Sequence, residues 1–128
     1  MSRQTFIFVG TTAQDANLVR LVEHALGRPF THEEGSDPYI RAGTVAVYLG
    51  GHEFDDDIAW PEGSVIPLHS KFPAMIEARD TTGNQLRQQE VADQIFAILR
   101  SEGHWPAVYI DDMQKVLDHY EPSESPAT

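Results

Sequence analysis

Phe72-Pro-Ala-Met-Ile-Glu-Ala-Arg79, the run Thr82–Glu102 and Ala107-Val-Tyr-Ile110 decide the fold. In the first, Phe72, Ala74, Ile76 and Ala78 alternate with Met75, Glu77 and Arg79, the period-2 pattern of a strand with one wetter face. In the second, Val91, Ile95 and Ile98 form an apolar row that Leu86, Ala92, Phe96 and Leu99 widen. Arg87, Glu90, Asp93, Gln94 and Arg100 occupy the opposite side, so the run predicts an amphipathic helix. Gly103 follows as a stop, in the left-handed conformation glycine adopts at no steric cost. Ala107–Ile110 is a short apolar strand. Strand, helix, strand predicts two neighbouring or near-neighbouring parallel strands joined by a right-handed crossover. Asp111, with Gln114 three residues on, reads as the cap of a last helix ending near Tyr120.

Upstream, Thr5-Phe-Ile-Phe-Val9 is apolar on both faces, as a central strand covered on both sides would be. Thr12 and Asp15 resemble a capping box before a helix reaching Leu26, whose inner face carries Leu18, Leu21, Val22, Ala25 and Leu26; Gly27 ends it. Gly10-Thr-Thr lacks the glycine spacing and the lysine of a phosphate loop and reads as an ordinary strand-to-helix turn. Pro29–Glu34 is a short edge strand and Gly35–Pro38 a turn. Tyr39–Arg41 and Thr44–Leu49 are strands around a turn or bulge at Ala42-Gly43. Gly50-Gly51 breaks the sheet. His52–Ser70 is irregular, because prolines 61, 67 and 73 limit regular ladders.

The element order is therefore β-α-β-β-β-α-β-α. It predicts an α/β (α+β) two-layer sandwich with helices packed on a mixed β-sheet. A ferredoxin-like variant is the nearest named architecture, and a small doubly-wound three-layer fold is the alternative. A single domain over residues 1–120 and a disordered tail over 121–128, rich in Pro, Ser and Glu, are expected.

Charge is the loudest compositional feature. The 128 residues hold 20 acidic and 9 basic side chains, a net charge of −11. Such a chain is repelled by nucleic-acid backbones and anionic membranes, and a basic protein partner is favoured. There is no cysteine, which removes disulfides, thiol catalysis and the commonest structural zinc ligand. The N-terminal apolar run is too short for a signal-peptide core or a membrane span, so a cytoplasmic protein is expected.

Between His32 and Gly63 stand eight acidic residues and one basic residue, so seven of the eleven net negative charges lie in a quarter of the chain. Glu53, Asp55, Asp56, Asp57 and Glu62, with Trp60 as an aromatic anchor, are the candidate partner-binding residues. The metal candidates are His52 and Asp55. The run lacks the Asp-x-Asp-x-Asp-Gly spacing of a calcium loop, and His52-Glu53 lacks the second histidine of a zinc-protease helix, so no metal and no cofactor are expected. His32 and His52 each precede a glutamate that strand pairing could bring together. No serine sits in a nucleophile elbow: Ser64, His69 and Ser70 form no catalytic set. Trp105 reads as a packing residue.

Three functions follow. Small, acidic, cysteine-free and without a catalytic set, the chain resembles in type the immunity proteins and antitoxins that neutralise basic toxins. That likeness implies a binding module that docks a cationic protein through the acidic loop. One alternative is a small metal-dependent hydrolase using that loop with His52 and Asp111. The other is a structural or regulatory subunit that self-associates as a homo-oligomer through sheet edges or Trp60.

Overall fold

The computed structural model describes residues 4–52, 57–59, 65–67, 71–111 and 115–120, with side-chain detail for all of these but 57–59, 65–67, 111 and 115. Eight strands and two helices are present among them: β1 (Thr5–Val9), α1 (Ala16–Leu26), β2 (Tyr39–Ala42), β3 (Val45–Gly51), β4 (Asp57–Ala59), β5 (Val65–Pro67), β6 (Ala74–Asp80), α2 (Gln85–Glu102), β7 (Ala107–Asp111) and β8 (Lys115–Tyr120). Six strands make one sheet in the order β2-β3-β6-β1-β7-β8, and β4 and β5 pair separately.

β1 runs antiparallel to both neighbours, Ile7 facing Ile76 of β6 on one side and Tyr109 of β7 on the other. β6 and β7 are therefore parallel to each other, one strand apart, and α2 connects them, as the sequence predicts. β3 is antiparallel to β6, hence parallel to β1, and α1 lies between them in the chain. Two interleaved strand-helix-strand units with spatial order β3-β6-β1-β7 are the ferredoxin-like arrangement. β2 and β8 extend it at the two edges.

The burial of β1 follows from this position: all five residues are buried. Ile7 and Val9 point into the main core, with Val45, Val47 and Leu49 of β3, Ala74, Ile76 and Ala78 of β6, and Leu18, Val22, Val91, Ile95, Phe96 and Leu99 of the helices. Phe6 and Phe8 point the other way, into a second cluster with Phe72, Val108 and Ile110. One helical layer on one face of one sheet is the two-layer sandwich expected. Among the described residues no helix is long and apolar enough to cross a membrane.

Several local expectations are corrected. The sheet is not mixed: every neighbouring pair in it is antiparallel, because each crossover skips one strand and another fills the gap. That arrangement also removes the doubly-wound alternative, which needs adjacent parallel strands. The last element is a strand, not a helix. Asp111 ends β7 opposite Lys115, and β8 folds back along β7 with a register shift at Tyr109/Ile110. The apolar face of Ala107–Ile110 extends the ladder, and this outweighs a local capping pattern. Gly50 and Gly51 stay inside β3, paired with Met75 and Ala74. Part of the stretch read as irregular, 57–59 and 65–67, forms a ladder in which Pro67 faces Asp57. Residues 29–34 supply only the single bridge Thr31–Tyr39.

The helix ends differ too. α2 starts at Gln85 with Asn84 as its cap, the Asn84 side chain accepting from the Arg87 amide. Thr82 cannot start it, because Gly83 holds φ +81°. α1 is capped by Asp15, not Thr12: Asp15 accepts from the Asn17 amide at 2.9 Å, and Thr11 donates to its other oxygen. Gly27 stops α1 in the left-handed conformation, φ 70°. Gly103 stops α2 for another reason, since its φ is −85° and extended. A Cβ there would lie 2.6 Å from the Leu99 carbonyl oxygen, so space, not φ, demands glycine.

Candidate functional site

The β2–β3 hairpin organises one end of the sheet. Its two-residue turn, Gly43-Thr44, joins Ala42 to Val45, with Gly43 at φ 65° as such turns require. At the other end of the hairpin the loop before β2 is closed on itself. Thr31 and Tyr39 exchange both backbone hydrogen bonds, and the Leu49 amide donates to the Pro38 carbonyl at 3.1 Å. Asp37 is therefore held, exposed, beside the last residues of β3, and Glu33 and Glu34 are exposed in the same loop. The Asp37 carboxylate lies over Gly50 so closely that a Cβ on Gly50 would come within 2.5 Å of its oxygen.

Aromatic rings stand next to these carboxylates. Tyr39 and Tyr48 face each other across β2 and β3 with ring centroids 5.9 Å apart, both half-buried. The Tyr39 hydroxyl donates to Glu33 at 2.9 Å. This bond, then the partial removal of the phenol from water, raises the Tyr39 pKa above its ordinary value. In the next ladder position Tyr48 faces Glu77, which is ion-paired to Arg79 at 2.8 Å.

Of the residues predicted from sequence, Glu53, Asp55, Asp56, Trp60 and Glu62 lie outside the described residues. Asp57 is described in its backbone alone, as the first residue of β4. His52 is placed. Its Nε2 donates to the Phe72 carbonyl at 2.6 Å, and its ring meets Phe8 edge-on at 4.8 Å. A carbonyl only accepts, so Nε2 carries a proton in this contact and is not a metal-binding nitrogen. Among the described residues no group of three or more His, Asp or Glu side chains is placed to hold a metal ion.

Sequence reasoning missed two polar clusters. The first centres on Asp80, which is buried at the end of β6. One carboxylate oxygen accepts from the Thr44 hydroxyl at 2.6 Å; the other accepts from the amides of Thr82 and Asn84 and the Thr82 hydroxyl. Those bonds, led by Thr44 and Thr82, favour the charged form and hold this carboxyl well below the usual carboxylate range. The Asp80 amide donates to Gln88 Oε1, and Gln88 Nε2 donates to the Thr5 hydroxyl. The cluster ties β1, the β2–β3 turn, β6 and α2 together, and its bonds run within the fold. Asp80-Thr-Thr-Gly-Asn84, an Asp followed by turn residues, is the signal that marks it.

The second lies between α2 and β8, around a groove of about 480 Å³. Its polar groups are also paired with one another: the Tyr109 hydroxyl donates to Asp93 at 2.8 Å, and Arg100 pairs with Asp118 at 2.8 Å while lying over the Phe96 ring. At the hairpin end, by contrast, Glu34 and Asp37 are exposed in the same loop as Glu33, next to the half-buried Tyr39 and Tyr48. Comparison with protein-family models, curated proteins and solved structures finds no match to this chain.

Proposed function

We propose that this chain is a small protein-binding module that receives a cationic protein on its acidic hairpin end, in the manner of an immunity protein or antitoxin. One observation carries the reading. Asp37 packs on Gly50, three residues before Glu53, the start of the acidic run through Asp57. Glu33 and Asp37 therefore belong to one end of the hairpin, by Tyr39 and the last residues of β3, and in the sequence the acidic run Glu53–Asp57 follows directly after β3. Like charges on one end of a chain of net charge −11 favour a basic partner. Acidic groups around an aromatic centre suit docking: the charges steer encounter and the rings slow departure.

The test is capture from the native host at low salt, followed by kinetics with the partner obtained. Replacing Glu33, Glu34 and Asp37 by Gln, Gln and Asn slows association and flattens its salt dependence, because charge steering is screened over about 8 Å at physiological ionic strength. Tyr48→Ala mainly speeds dissociation. A specific partner whose rates survive both changes refutes this docking end.

A further inference from the structure

A different face, on the helical layer, carries a second constellation. Arg20 and Leu21 each neighbour His24 on α1, four and three residues before it. Leu21 is buried and Arg20 and His24 are exposed. Across from them α2 ends, and Glu102, His104 and Trp105, with Asn17 of α1, complete a cleft of about 260 Å³. That is below the roughly 300–1,000 Å³ of drug-sized pockets and has room for a single small ring. Gly103 delivers two of the walls: its close approach to the Leu99 carbonyl turns the chain out of α2, so that His104 and Trp105 follow at once. Trp105 packs partly against the main core, which fixes its ring.

Among the described residues the side chains of Arg20, His24, Glu102 and His104 form no hydrogen bond or ion pair with one another or with neighbours. Arg79 and Arg100, by contrast, are paired with carboxylates. Arg20 and Glu102 cancel in formal charge and the other lining side chains are uncharged or histidine, so this cleft is locally neutral in a chain of net charge −11.

The geometry points to a binding site for a small aromatic carboxylate. The guanidinium of Arg20 is charged at every working pH and its planar fork matches a carboxylate. The imidazoles of His24 and His104 add N–H donors. The ligand ring lies on Trp105 and Leu21, which supply apolar contact. Glu102 opposes the anion from the same cleft. This site is independent of the acidic docking end.

Benzoate is the probe, titrated at constant ionic strength into the full chain carrying Trp60→Phe, so that fluorescence reports Trp105 alone. Calorimetry on the unsubstituted chain gives the same constant by a route that does not depend on that substitution. A saturable curve with Kd on the order of 1 mM or tighter is expected. Acetate, which lacks the ring, binds at least about tenfold more weakly. Arg20→Gln weakens benzoate about tenfold or more, and Glu102→Gln tightens it. Arg87→Gln, about 22 Å away along α2, leaves it unchanged. The proposal is overturned by an unsaturable response, by acetate equalling benzoate, by Arg87→Gln matching Arg20→Gln, or by weaker binding in Glu102→Gln.

Discussion

Replacing Gln88 by leucine tests the polar cluster that locks the two layers together. Gln88 is 1 % exposed, one turn into α2, at a position that an amphipathic pattern would fill with an apolar residue. Leucine keeps most of its bulk and improves the apolar match, so transfer energy alone predicts a gain in stability. The hydrogen bonds argue the reverse. Gln88 Oε1 is the acceptor of the Asp80 amide at 2.9 Å, and Gln88 Nε2 donates to the Thr5 hydroxyl at 2.8 Å. Leucine leaves a buried amide without that acceptor, at about 1–3 kcal/mol, and removes a net bond to Thr5 worth about 1 kcal/mol. The apolar gain offsets only part of this, and the expected loss is about 2 kcal/mol. Gln88→Ala adds a cavity and costs more. Urea unfolding followed by circular dichroism measures the change as a lower midpoint at unchanged slope. A cycle with Thr5→Val isolates the pair: the double variant is more stable than the sum of the two losses predicts, since each single change strands the other's partner. A Gln88→Leu protein as stable as the parent, or a cycle with no coupling, refutes the reasoning.

Two further outcomes follow from the same geometry. Asp80 has its pKa depressed in the folded state against about 3.9 in an unfolded chain. Its contribution to stability is whole above that unfolded value and is lost as pH falls through the folded one, because the unfolded chain takes up the proton first. Asp80→Asn therefore flattens the acid limb of a stability–pH curve and leaves its shape near neutrality unaltered; an unchanged acid limb removes the carboxylate from this role. Gly103→Ala drives a Cβ into the backbone carbonyl of Leu99, which cannot swing aside, and lowers stability by about 1–3 kcal/mol by thermal or urea unfolding. The same change at Gly50 meets only the exposed Asp37 carboxylate and costs less; equal costs contradict the distinction.

What the sequence settles here is whatever depends on short range. The period-2 run of Phe72–Arg79 and the 3.6-residue stripe of Val91, Ile95, Phe96 and Leu99 each declare an element and its buried face, because a strand or helix must hide one side whatever it packs on. The two-sided apolarity of Thr5–Val9 marks the middle of the sheet for the same reason. Even so, Leu86, placed by pattern on the buried stripe, is 76 % exposed, and Gln88 takes the buried position in that turn. Edges are where the sequence misleads. Asp111 and Gln114 make a sound helix cap in isolation, yet the chain after β7 pairs with β7, because an edge of unsatisfied backbone groups is worth more than a cap. Charge was legible in amount and along the chain; that Asp37 lies against Gly50 was not, because it depends on the register of β2 against β3. The same holds for Gln88 with Thr5, eighty-three positions apart, and for Arg20 with His104. Pairings at such separation are decided by tertiary packing, which brings together residues whose neighbours in sequence say nothing about each other.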